Sequence, residues 1–160
     1  MIKFLGILSK KKKITGSKTA HLLVETLDEV ILNGFVEIQD FLNNNNNLEC
    51  NPNLTNKDIK WFRLIVFVGN LKMIPTFFEQ EHAEDLHNHL LDMMANKMEG
   101  ENEIAIEQLG DYCTYLDELL RKSDNCIEAM ATAVFDKYNI NDFQVNLFRR
   151  KNEQRNHRTK

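Results

Sequence analysis

Between residues 19 and 42 the apolar positions repeat with a helical period. Ala20, Leu23, Val24, Leu27, Val30, Ile31, Phe35, Ile38, Phe41 and Leu42 fall in one sector when successive residues are set about 100° apart. Steps of three and four place side chains on one helical face, so the stretch predicts a long amphipathic helix with Ser17 as its N-cap. The run Asn43 to Asn47 stops it. Asparagine side chains bond to nearby backbone in competition with a helix, so residues 43–54 read as a surface loop.

Thr55 and Asp58 resemble a variant capping box opening a helix over about residues 56–70. Trp61, Phe62, Leu64, Ile65, Val66, Phe67 and Val68 surround that helix on almost every side, and a helix apolar all round belongs in the interior. Pro75 separates it from a helix over about 77–98, for which Thr76 and Glu79 form a capping box. Gly100 marks a turn. Residues 103–122 present Leu109, Tyr112, Cys113, Leu116, Leu119 and Leu120 on one side, and the following helix, up to Tyr138, is expected to bury Cys126, Ile127, Met130 and Val134. Asn139 is its expected stop. Asp142 is the expected cap of a last short helix carrying Phe143, Leu147 and Phe148.

Two prolines and six glycines in 160 residues are too few for a hairpin-rich all-β chain. The fold expected is all-α, a single-domain bundle of five to six helices around the apolar helix at about 56–70. Residues 1–18 form a basic and apolar N-terminal segment, 19–148 the helical bundle and 149–160 a basic tail. No internal repeat or second core is visible.

Charge changes this picture. The net −4 is unevenly spread: residues 1–18 carry six lysines and no acid, and residues 149–160 six basic residues against Glu153. Residues 19–148 hold eight basic residues against 23 acidic ones, a net −15. Such a body repels a phosphate backbone, and no aromatic-interleaved basic face is evident, so nucleic acid is disfavoured as a partner. The apolar Phe4 and Leu5, followed by Lys10, Lys11, Lys12 and Lys13, suit weak contact with an anionic membrane or a partner through residues 1–13. The lysines mostly follow the apolar patch, the reverse of a secretory signal. Cys50, Cys113 and Cys126 form no closely spaced set and suit reduced thiols in the cytoplasm. No apolar run reaches the roughly 18–20 residues of a membrane span.

Candidate chemistry centres on residues 79–89, with three of the five histidines. Glu79 with His82, and Glu84 with His87, make E-x-x-H pairs of the kind that hold metals in helical bundles, and His82 and His89 lie in the apolar sector with Phe78, Leu86, Leu90 and Met93. Glu79, His82 and His89 are therefore the candidate metal ligands. The neighbouring helices offer no matching inward carboxylates: Glu25, Asp28 and Glu29 sit away from the apolar sector, Glu107, Asp111 and Glu118 face outward, and Glu84 and His87 point to solvent. Cys113 and Cys126 read as small core residues rather than nucleophiles. No nucleophile elbow, phosphate loop or dinucleotide fingerprint occurs, so no cofactor is implied. Arg63, within the most apolar helix, needs a carboxylate partner and is read as one end of a structural ion pair.

No motif ties the chain to a known family. The expected function is a non-catalytic helical interaction protein, an adaptor, regulator or inhibitor-type module that binds a protein partner. A metal-binding bundle centred on His82 and His89 is the alternative, and a peripheral membrane protein attached through residues 1–13 the second. An apolar strip would serve a dimer interface equally well, since periodicity does not separate the two.

Overall fold

The computed structural model describes residues 16–144. Its helices are α1 (Gly16–Asn43), α2 (Ile59–Phe77), α3 (Gln80–Asn96), α4 (Asn102–Leu120), α5 (Cys126–Lys137) and the single turn α6 (Ile140–Phe143), with a 3-10 turn at Asn56–Asp58 before α2. The chain is an all-α helical bundle. Among the described residues no helix is long and apolar enough to cross a membrane. The segment 1–13, with Phe4, Leu5 and Lys10 to Lys13, lies outside the described residues, as do Leu147, Phe148 and the tail 149–160.

α2 is the hub. It packs against α1, α3, α4 and α5, while α1 meets α3, α3 meets α4, and α4 meets α5. Leu64, Ile65, Phe67, Val68, Gly69, Leu71 and Ile74 of α2 are buried and point in several directions, as a helix apolar on most sides must. The helices around it contribute Ala20, Val24, Leu27 and Ile31 from α1, Ala83, Leu86, Leu90 and Met94 from α3, Ala105, Leu109 and Leu116 from α4, and Ala129 and Ala133 from α5. A second, smaller cluster holds Phe35, Leu42, Leu54, Tyr138 and Ile140.

Several boundaries differ from the sequence reading. Ser17 lies inside α1, not before it. α2 runs through Pro75, which sits in its last turn; there the missing N–H removes only one hydrogen bond, to Leu71, and the helix continues until Phe78 turns extended. Thr76 is thus helical and builds no capping box with Glu79. Glu79 instead occupies the N-cap position of α3, and its carbonyl accepts from the Ala83 N–H at 2.8 Å. At Asp58 the carboxylate accepts from both the N–H and the hydroxyl of Thr55, at 2.8 and 2.9 Å. The cap of α5 is Asn125, with its side-chain oxygen accepting from the Glu128 N–H. Asp142 lies within α6, and Asn139, left-handed at φ 52°, ends the α5 segment. Gly100, at φ +108°, makes the α3–α4 turn in a conformation few other residues adopt.

The asparagine loop is ordered by its own amides. Asn43 donates to the Leu54 carbonyl and accepts from the Leu54 N–H, each at 2.8 Å, acting as a surrogate strand partner for that peptide. Asn51 donates to the Asn43 carbonyl, and Gln39 adds a second donor to Leu54. The Glu49 N–H donates to the Phe143 carbonyl at 2.7 Å, tying the loop to α6.

Candidate functional site

Four places bring charged or reactive side chains together. The first joins α1, α2 and α3. Arg63 of α2 reaches Asp28 of α1 through Nε at 3.1 Å and a terminal nitrogen at 3.0 Å, both on Oδ1. The other oxygen of Asp28 faces Lys97 Nζ at 3.5 Å, and Lys97 also holds Glu25 at 2.9 Å. The Arg63 and Asp28 side chains are only 14% and 17% exposed, so Asp28 is tucked inward, not held away from the core as its helical position suggested. Glu25 accepting from Lys97 raises the affinity of that amine for its proton. A shallow cleft of about 130 Å³ opens beside Arg63, lined by Lys60, Trp61, Leu64, Met98, Glu99 and Gln108. It holds no nucleophile with a base, and a cleft of this size is well below those that enclose small ligands.

The second place is the histidine-bearing helix α3. Its buried face is Ala83, Leu86, Leu90, Met94 and Ala95. His82 and Glu79 are exposed, contrary to the apolar-sector placement of His82, and His89, on the flank, approaches Asp85 at 3.6 Å. The half-buried histidine is instead His87, assigned to solvent by the sequence reading. Burial lowers its basicity first, and the positive charge of Lys72 lowers it further. Among the described residues no three histidine, cysteine, aspartate or glutamate side chains are grouped to hold a metal ion. Glu79, His82 and His89 are thus not brought together as a ligand set among the described residues.

The third place surrounds Lys72 of α2, whose ammonium meets Asp117 of α4 at 2.6 Å. Cys113 and Cys126 both sense it. Burial pushes each thiol up, and Lys72 only partly offsets that. Cys126 donates weakly to the Gly69 carbonyl at 3.5 Å. Thiols held protonated by burial are poor nucleophiles, and the contacts of this cluster bond α2 to α4 and α5.

The fourth lies over Trp61. Its ring stacks beside Tyr112 at 6.4 Å between centroids, Lys137 Nζ sits 3.3 Å from its centre and Lys60 Nζ 5.0 Å away. Tyr115 meets Tyr112 edge-on and donates to Asp136 at 3.0 Å. This aromatic and lysine grouping was not foreseen. Its members come from α2, α4 and α5, with no sequence spacing to reveal it. The cation on the ring is the protein's own lysine, which makes the arrangement a helix junction.

What remains is the outer surface of α1. Leu22, Val30, Leu32, Val36 and Phe41 are each about half to two-thirds exposed, with Val36 at 60% and Phe41 at 66%. From Thr19 to Asn43 the helix carries Glu25, Asp28, Glu29, Glu37 and Asp40 and no lysine or arginine. Val30 and Phe41 were expected in the core; the buried face, set by Ala20, Val24, Ile31 and Phe35, leaves them outside it.

No family model matches the chain, and neither a curated protein nor a solved structure shows detectable similarity to it.

Proposed function

We propose that the protein is a non-catalytic interaction module, cytoplasmic in location, that binds a protein partner through the outer face of α1. The observation that carries this reading is the set of five large apolar residues exposed on that one helix. Isolated exposed leucines are ordinary, whereas several along one helix, between carboxylates, favour contact with another chain. Three of the four clusters, those of Arg63, Lys72 and Trp61, support it indirectly, because each is spent on joining helices. The three cysteines are free thiols, in keeping with a reducing compartment.

The test compares the wild-type chain with Leu32→Asp/Val36→Asp, both immobilised and exposed to extract from the cells that make the protein. Both positions are solvent-facing, so circular dichroism and melting temperature should match the wild type. The reading expects a specific partner, retained by the wild type and lost by the variant. It fails when the same proteins are retained by both, or when the purified chain turns over a substrate with the double variant equally active.

A further inference from the structure

We infer that the partner segment is a basic amphipathic helix of another protein, with apolar residues at heptad spacing and lysine or arginine beside them. This rests on the reading of α1 as a binding face and names what that face accepts. On the side of α1 turned away from the core, Leu22, Glu25, Glu29, Leu32 and Val36 follow one another at steps of three, four, three and four. That is the spacing of a coiled-coil seam, where each side chain meets a helix lying alongside. Leu22, Leu32 and Val36 are exposed there, and Glu29 is exposed between them.

The charge decides which helix fits. A purely apolar partner would strip water from Glu29 and leave its carboxylate unpaired, an unfavourable burial. A second copy of α1 would set carboxylate against carboxylate along the same seam. An anionic membrane surface meets the same repulsion. Glu25 already has Lys97, but Lys97 lies on the α3 side; the nearest basic residues along the chain are Lys18, in the first turn of α1 eleven positions before Glu29, and Lys57, beyond its end. A lysine- or arginine-bearing helix supplies the missing cations while its apolar seam covers Leu32 and Val36.

Fluorescence anisotropy with the full chain tests this directly. The probe is a labelled peptide of about three heptads, with leucine at the a and d positions and lysine elsewhere. A second peptide carries glutamate in place of every lysine, and a third is residues 1–13 of this chain. The lysine peptide should bind at least about tenfold more tightly than the glutamate peptide, and less tightly as sodium chloride rises from about 50 to 500 mM. Leu32→Ser/Val36→Ser should weaken it about tenfold or more, and Glu29→Gln about two- to fivefold. Equal binding by wild type and Leu32→Ser/Val36→Ser overturns the inference, because attraction would then be bulk charge without the seam. Equal binding of the lysine and glutamate peptides overturns it too. Tighter binding of the 1–13 peptide, lost in the same variants, also overturns it by giving the face to this protein's own segment. In any of these results the interaction reading stands if the Asp variants still lose their cellular partner, and falls with the inference if they keep it.

Discussion

Removing the Asp28 carboxylate would leave the Arg63 guanidinium, 14% exposed, without its counter-charge. Breaking one half of a largely buried pair costs more than deleting both halves. Asp28→Ala is therefore expected to destabilise the protein by about 2–4 kcal/mol in urea unfolding, and Asp28→Ala/Arg63→Met by clearly less than Asp28→Ala alone. Equal losses would show that the pair adds nothing beyond packing. His87 is the second residue with a readable consequence. Its native proton affinity lies below the ordinary value of 6.5 because of burial and Lys72. Above pH 6.5 the ring is neutral in both folded and unfolded chains. As pH falls below 6.5 the unfolded chain takes up the proton more readily, so stability is lost from there down through the lowered native value. The melting temperature of the wild type should accordingly fall more between pH 7.5 and 5.5 than that of His87→Gln. Both residues show how far one-dimensional reasoning reaches. That Arg63 needs a carboxylate was legible; that Asp28 supplies it was not, because Asp28 lies at the rim of its helix's buried face. The mistaken choice of His82 over His87 has a specific origin. Counting Phe78, which precedes α3, and omitting Ala83 and Met94 turns the inferred buried face by about 60°.

At the scale of elements, the central position of α2 was plain from its lack of a polar side, whereas its length was not. Pro75 signals an end in sequence, yet in a final turn it removes a single bond that the end of a helix would soon lose anyway. On α5 the sequence reading favoured the bulky Ile127 as core, and that residue is 63% exposed, while Ala129 and Ala133 are buried. The reason is proximity. α5 approaches α2 so closely that a Cβ added at Gly69 would overlap Met130. Gly69→Ala tests that contact. Helix propensity alone would favour alanine by about 1 kcal/mol, but the overlap should reverse the sign and lower stability by about 1–2 kcal/mol. A stabilised Gly69→Ala would mean that Met130 swings away without cost. The asparagine loop yields an expectation of the same kind. Asn43→Ala leaves the Leu54 N–H without its acceptor and removes one of two donors to its carbonyl. Leu54 is buried, so a loss of about 1–3 kcal/mol in the unfolding free energy measured in urea is expected, and a change below about 0.5 kcal/mol would show that water replaces the amide. That the asparagine run would end the helix in a surface loop was legible; that Asn43 grips the Leu54 peptide depended on where residue 54 returns.

For the whole molecule, the body between the two basic ends carries its net −15 on a surface with few cations. Self-repulsion of that size opposes compaction and is screened by salt. The melting temperature should rise by about 2–6 °C between 20 and 500 mM sodium chloride, and a fall would mean that the ion pairs of Arg63, Lys72 and Lys97 outweigh the repulsion. The smaller core cluster has a separate meaning for motion. Phe35, Leu42, Leu54, Tyr138 and Ile140 join the far end of α1 to the asparagine loop and α6, with the Tyr138 hydroxyl donating to the Asp58 carbonyl at 2.7 Å as a latch. Five buried side chains hold less than the main core around α2, so this end is expected to open first. Its amide protons should be replaced by deuterium well before those of α2 between Leu64 and Leu71. Each such opening would free the distal stretch of α1, with Phe41 and Val36, while the rest of the bundle stays closed.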